Sequence, residues 1–264
     1  MHSNPTLQAA LTDQRFPRSS GYDAEWVADN AMGPHPLWLM EHLCGRMKLE
    51  PGMRVLDLGC GRAITSVFLA REFGVNVWAH DLWIHATDNW ARIREAGAED
   101  RVFPIHGDAR QMPYAGEFFD AVVSVDAYQY FGTDDLYLSQ FIKFVRPGGQ
   151  LGIVVPGLTQ PLPPGGVPVH LTTPAASGKV FWDPSECCCF HTAEWWERHW
   201  RQTGLVDIEY AGLLDEGAAL WLKWLRGLEI IGLRWFDDDP QVIEEDGGEY
   251  IGFVTMTARR KEGG

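Results

Sequence analysis

Residues 53–58 (MRVLDL) form a short apolar run, Gly59-Cys60-Gly61 breaks it, and residues 63–73 then carry Ile64, Val67, Phe68 and Ala70 at helical spacing. A strand that turns through glycines directly into a helix is the first half of a βαβ unit. Such a unit commits a chain to a parallel sheet with helices packed on its faces. The pattern repeats downstream. Residues 75–80 (VNVWAH), 101–106, 118–125 (FFDAVVSV) and 150–155 read as strands, with helices over 84–96 and 134–145 between them. The last helix is closed by Arg146-Pro147-Gly148-Gly149. The almost unbroken apolar run at 118–125 suits a parallel strand covered on both faces. Alternation at this spacing predicts right-handed crossovers and a doubly wound α/β sheet. The ligand crevice of such a sheet lies at the carboxyl ends of its strands. That directs attention to 57–62, 81–83, 107–109 and 124–130.

The flanking regions read differently. Residues 1–20 look like a loose arm, and 21–48 predict helices that cover the sheet. Residues 156–177 are rich in proline and glycine and predict an irregular excursion. A helix follows over 192–202, with Thr192 as N-cap. Residues 205–211 and 250–258 alternate like two further strands, and 218–231 form an apolar helix between them. The expected organisation is an N-terminal arm and helical cover (1–48) and one domain (49–264) with lid insertions at about 156–200 and 213–248.

Composition narrows the class. The 264 residues are 45% hydrophobic, enough to bury a sizeable core. Lys and Arg total 22 against 36 Asp and Glu, a formal charge of −14. Nucleic acid and anionic membranes are therefore poor partners. No run of about 18 apolar residues predicts a membrane span, and residues 1–18 lack the apolar segment of a secretory leader. The five cysteines, at 44, 60, 187, 188 and 189, suit no closed disulfide framework, so a reducing cytoplasm is expected.

The glycine turn asks for a particular ligand. A dinucleotide fingerprint wants Gly or Ala three positions after Gly61, where Ile64 stands. Asp57 precedes the turn, and a carboxylate there is awkward for a pyrophosphate but favourable for a cation. Asp81 ends the next strand, where a carboxylate can accept both hydroxyls of a ribose. Ribose, close backbone approach and positive charge without phosphate describe S-adenosylmethionine and not NAD.

Val55-Leu56-Asp57-Leu58-Gly59-Cys60-Gly61 resembles the first motif of class I S-adenosylmethionine-dependent methyltransferases. The similarity continues through Ala79-His80-Asp81-Leu82, Gly107-Asp108-Ala109, Phe118-Phe119-Asp120 with Ser124-Val125, and Val145-Arg146-Pro147-Gly148-Gly149. These are five motifs in family order over roughly residues 51–156. The resemblance implies a seven-stranded, Rossmann-like sheet with its last strand reversed. It places Gly59 and Gly61 against the cofactor, Asp57 near its methionine amino group and Asp81 on its ribose. Leu82 and Trp83 would pack on the adenine, Asp108 and Ala109 would bond it, and Val125 would sit beside the methionine portion. Gly21-Tyr22-Asp23 is similar to the cofactor-closing tyrosine motif of the cyclopropane fatty acid synthase-like branch, which puts Tyr22 near the methionine carboxylate.

The implied reaction is methyl transfer to a small organic acceptor, leaving S-adenosylhomocysteine, with no metal required. An in-line displacement mainly needs alignment and exclusion of water. A hydroxyl or protonated amine would also need a base. Asp126, Tyr128 and Tyr130 follow strand four; Asp126 is a base, a carboxylate that orients a cationic substrate, or a capping carboxylate, and the tyrosines line the pocket or pack. His191, ahead of the 192–202 helix, is the candidate from the lid. Cys187-Cys188-Cys189, read as extended chain, would bring only Cys187 and Cys189 together. Twelve tryptophans are unusual; Trp196 and Trp200 share one helix face and Trp221 and Trp224 another, forming either an aromatic pocket or core. The acid runs 237–239 and 244–246 read as solvated loop. A non-catalytic S-adenosylmethionine sensor and a lipid-modifying methyltransferase are the alternatives.

Overall fold

A computed structural model describes residues 4–174, 178–233 and 240–262. In chain order the elements are α1 (Pro5–Leu11), α2 (Ala24–Asn30), α3 (Pro36–Cys44), β1 (Arg54–Leu58), α4 (Ile64–Phe73), β2 (Asn76–Asp81), α5 (Ala86–Glu95), β3 (Val102–His106) and β4 (Phe119–Val125). They continue with α6 (Tyr137–Phe141), β5 (Val145–Leu158), α7 (Val169–Thr172), α8 (Pro184–Cys187), α9 (Ala193–Arg201), β6 (Val206–Leu213), α10 (Gly217–Ile230), α11 (Pro240–Asp246) and β7 (Ile251–Arg260).

The seven strands form one sheet in the order β3-β2-β1-β4-β5-β7-β6. β1 to β5 pair in parallel, and β7 runs antiparallel to both β5 and β6. The chain winds outward from β1 to β3 and then returns to lay β4 on the other side of β1. The switch point, and with it the crevice, lies between the ends of β1 and β4.

Period-two alternation sorts side chains onto two faces. Val55 joins one core with Ala121 and Val123, whereas Leu56 and Leu58 join the other with Phe119 and Val122. The first face is covered by α1 to α4 and α10, the second by α6 and α9. Asp57 lies on the same side as Val55, toward α4.

Several sequence expectations change. The arm at 1–20 contains α1, capped by Asn4 and seated by buried Leu7 and Leu11 against α10. Asp237, Asp238 and Asp239 lie outside the described residues, but 244–246 end a helix and Asp246 is buried. It accepts from the Ile251 N–H at 2.9 Å and bonds the His170 ring at 2.9 Å. The paired tryptophans are core. Trp196 and Trp200 are fully buried on the second face, while Trp38, Trp221 and Trp224 are buried on the first. Tyr128 packs among Phe131, Tyr137, Trp196 and Trp200 in that second core at 2% exposure, so it is a packing residue and not a pocket-facing base. No helix among the described residues is long and apolar enough to cross a membrane.

Candidate functional site

The crevice starts where β1 ends. Gly59 and Gly61 take φ of 77° and 53°, left-handed values that glycine adopts without steric cost. The Gly59 N–H donates to the His80 carbonyl at 2.8 Å, and a methyl on Gly59 would overlap the Ala127 side chain from the end of β4. Glycine therefore lets the first loop close against the fourth strand. Ala63, at φ 61°, repeats the left-handed turn just before α4 despite its Cβ.

Asp57 sits beneath this loop. It is buried, and its Oδ2 accepts from the Thr65 and Ser66 hydroxyls at 2.6 Å each. The sequence reading placed this carboxylate by a methionine amino group; the structure spends it on holding the first turn of α4. Burial pushes the carboxyl up from 3.8 to about 6, against the two hydroxyls that favour its charge. Its contribution to stability is therefore complete below about pH 4 and is lost as pH rises through about 6. In urea unfolding, the Asp57→Asn variant, which cannot ionise, should escape that loss. Its midpoint should gain on the wild type between pH 4 and 6; parallel profiles would contradict the raised pKa.

Asp81 ends β2 nearly buried. Its Oδ2 accepts the Gly61 N–H at 2.8 Å, and its Oδ1 accepts the Trp83 and Ile84 N–H groups at 2.8 and 2.9 Å. Two oxygens offer about four lone-pair sites, so one more donor fits as the group stands. A second ribose hydroxyl would take the place of the Gly61 N–H. This under-filled carboxylate at the end of β2 has room for one ribose hydroxyl.

Beyond Asp81, Leu82 and Trp83 are half or more exposed. The Gly107 N–H donates to the Asp81 carbonyl at 2.9 Å, which ties the third strand end to the second. Asp108 Oδ1 accepts the Arg110 N–H at 2.8 Å, and the Ala109 carbonyl accepts from the Tyr137 hydroxyl at 3.1 Å. The Trp83 ring lies 6.1 Å from that of Tyr130, linking the β2 and β4 sides of the mouth.

Val125 is buried at the end of β4, and Asp126 follows in a left-handed conformation, φ 53°. Its N–H donates to the Val154 carbonyl at 2.9 Å. That twist presses the carboxylate against Gly33, where a methyl would overlap Oδ2. Oδ1 accepts from Gln129 Nε2 at 3.3 Å. A non-glycine residue held at positive φ costs about 1–3 kcal/mol and persists only where its surroundings enforce it. Gly33 is enforced in turn: its carbonyl accepts from Trp224 Nε1 at 2.9 Å, and His35 stacks on Trp38 at 4.0 Å. Met32 reaches over Gly61, its Sδ 3.0 Å from the place of a Cβ there.

Two assigned residues stand elsewhere. The Tyr22 hydroxyl donates to Glu72 at 3.1 Å and its ring packs on Phe68. Glu72 is eight residues along α4 from Ile64, about 12 Å from the end that meets the glycine loop. Tyr22 therefore braces the far end of α4 and does not close on a cofactor. The His191 ring lies flat on Trp195, 3.6 Å between centroids, and its edge meets Trp196. Burial, with His199 nearby, pushes it down to about 4, so it is neutral near pH 7 and packed on α9.

The cysteine triplet forms the end of α8 and a turn, not a strand. Cys187 and Cys189 are buried and Cys188 is exposed. Among the described residues no group of three His, Cys, Asp or Glu side chains could hold a metal. Burial pushes the Cys189 thiol up to about 11, with the charges of Asp126 and Glu186 close enough to add to it. The 186–189 turn thus borders the Asp126 side of the crevice. Sequence reasoning missed Met32, Gly33, Gln129 and Glu186. Gln129 alone carried a signal, its place in the stretch after strand four.

A family model described as a methyltransferase domain matches residues 55–149. The chain is 33% identical over 160 residues to methyltransferase GfsG of Streptomyces halstedii. That match covers 57% of this chain and 54% of the relative, so the chain spans about half the length of that curated protein. Among solved structures, the [4+2]-cyclase SpnF superposes with a TM-score of 0.66 at 19% identity, over 86% of this chain and 82% of that one. Geranyl diphosphate methyltransferase in complex with GPP and sinefungin superposes at 0.64 and 19%, over 96% and 85%. At such identities the superpositions speak to the fold alone.

Proposed function

We propose that this chain, whose residues 55–149 match a methyltransferase-domain model, is a class I S-adenosylmethionine-dependent methyltransferase and that it methylates a small organic acceptor held beside Asp126. The observation that carries the reading is the paired construction of the crevice: a glycine loop and Asp81 on one side, a strained carboxylate at the end of β4 on the other. When bound, S-adenosylmethionine supplies a methyl already activated on a sulfonium. The chain's own residues then have three tasks.

Gly59 and Gly61 admit the cofactor to the backbone, and Asp81 holds the ribose. Leu82, Trp83, Asp108 and Ala109 bound the adenine side, and Val125 supplies the wall next to the methionine portion. Asp126, fixed by its own backbone and by Gly33, orients the acceptor or takes its proton. The described parts of the lid insertions (156–174, 178–200, 213–233 and 240–248), together with 4–48, would exclude water from above. Exclusion matters because charge disperses as the methyl moves, and a dry pocket favours that change.

Asp126→Asn should lower turnover by about 100-fold or more, the range of a lost general base, and leave S-adenosylhomocysteine affinity within about threefold. Incubation with methyl-labelled S-adenosylmethionine and metabolite extracts, read by mass spectrometry, tests the reading. Labelled product from the wild type supports it. Cofactor binding with no labelled product from any extract would favour a sensor.

A further inference from the structure

We propose that His80 is a positioning residue for the adenine end of the crevice, holding the 107–109 loop so that Asp108 and Ala109 accept a 6-aminopurine and reject a 6-oxopurine. This rests on the reading of the crevice as an S-adenosylmethionine site and narrows how its base is chosen. His80 is joined to both ligand loops. Its carbonyl accepts the Gly59 and Cys60 N–H groups at 2.8 and 3.2 Å, which seats the glycine loop. Its side chain, 1% exposed, lies against the other loop. A methyl on Gly107 would stand 3.1 Å from both Nε2 and Cε1, so glycine there lets the loop rest on the imidazole. The Gly107 N–H also donates to the Asp81 carbonyl at 2.9 Å, so one strand end carries both contacts.

The ring's proton has one place. Burial pushes the imidazole below its ordinary value, so near pH 7 it is neutral and carries a single N–H. The Gly107 and Asp108 backbones act on it in the sense that favours a proton, which only an acceptor, the carbonyl, can do. Nε2 is the nitrogen on that side, and Nδ1 lies 2.8 Å from the Tyr114 hydroxyl. Nε2 therefore carries the proton, and Nδ1 accepts from Tyr114. Tyr114 is held edge-on by Phe119 and Phe144, at 4.8 and 6.2 Å between centroids, so the hydroxyl that sets the tautomer is fixed. As the loop stands, Nε2 meets neither carbonyl at full hydrogen-bond geometry, and a small inward movement of 107–108 closes the bond. The Asp108 side chain is 36% exposed and open to a base, whereas His80 is not, so the imidazole acts through the loop. A 6-amino group donates to the Asp108 carboxylate; a 6-oxo group sets one acceptor against another. Rejection is strong only where the acceptor cannot turn away, and His80 supplies that fixity.

Calorimetry on the full chain with S-adenosylhomocysteine and S-inosylhomocysteine, which differ only in the 6-amino against the 6-oxo base, tests this. The wild type should prefer the amino base by about 100-fold or more. His80→Phe keeps the bulk of a ring without its donor and should cut that preference about 10-fold, by weakening S-adenosylhomocysteine and sparing S-inosylhomocysteine. His80→Gln restores an N–H donor and should keep the preference within about threefold of the wild type. Tyr114→Phe removes only the hydroxyl and should lower the preference in the same direction by about threefold or more, so it decides the matter if His80→Phe does not fold. An equal loss of both affinities in His80→Phe and Tyr114→Phe, or an unchanged preference, makes His80 merely structural; it overturns the inference and leaves the S-adenosylmethionine site standing. A wild type that binds both ligands alike takes Asp108 and Ala109 out of base recognition and overturns the inference too. No binding of either ligand by the wild type overturns the site and the inference together.

Discussion

Replacement of Asp81 by alanine is expected to weaken S-adenosylhomocysteine binding by about 10- to 100-fold, the loss of a charge-assisted acceptor worth roughly 1.5–3 kcal/mol. The effect has two sources. The ribose loses its carboxylate. The Gly61, Trp83 and Ile84 N–H groups also lose theirs, so the glycine loop and the chain leading to Leu82 are no longer tied to the end of β2. Asp81→Asn separates the two. An amide keeps one acceptor oxygen but turns an NH2 toward an N–H, so it should fall between wild type and alanine. Calorimetry on the three proteins reads both effects, and unchanged affinity in Asp81→Ala would defeat the ribose assignment.

Trp200→Ala should cost about 3–5 kcal/mol of stability, the range for a large aromatic removed from a core that cannot collapse around the gap. Trp200 is fully buried against Tyr128, with Trp196 one helical turn away on the same face of α9. For a chain of this size that loss lowers the thermal midpoint by about 5–10 °C. The same substitution should leave cofactor affinity unchanged in the folded fraction, because α9 packs chiefly on β6 and β7, at the far edge of the sheet from β2 and Asp81. A shift of only one or two degrees would mean that this face of the sheet is far softer than its packing indicates.

The two cases mark what a sequence can and cannot disclose. The glycine turn, the place of Asp81 at the end of β2 and the alternation of strands with helices were legible because each is local: a period-two run, a break, and a helix within about twenty residues. The strands at 206–213 and 251–260 were legible for the same reason. β5 runs on to Leu158 because Pro156 and Gly157, which look like breakers, still pair with Phe253 and Gly252.

What failed was long-range. Tyr22 stands in a suggestive motif, yet its hydroxyl is claimed by Glu72, fifty residues away. Tyr128 turns into the second core because the left-handed step at Asp126 ends the alternation that would have told its direction. The i, i+4 spacing of Trp196 and Trp200 fixed a common face but could not say what the face meets. Asp57 matches a motif position, but the hydroxyls that occupy it come from the next helix. Gly33 has no local signal at all, since its reason for being glycine is the Asp126 carboxylate.

The cradle's preference is the claim on which the rest stands. Titration of the full chain with S-adenosylhomocysteine and, separately, with NAD tests it most directly. The account predicts saturable binding of one S-adenosylhomocysteine per chain and no measurable heat with NAD. Binding of NAD, or no binding of S-adenosylhomocysteine, would contradict it.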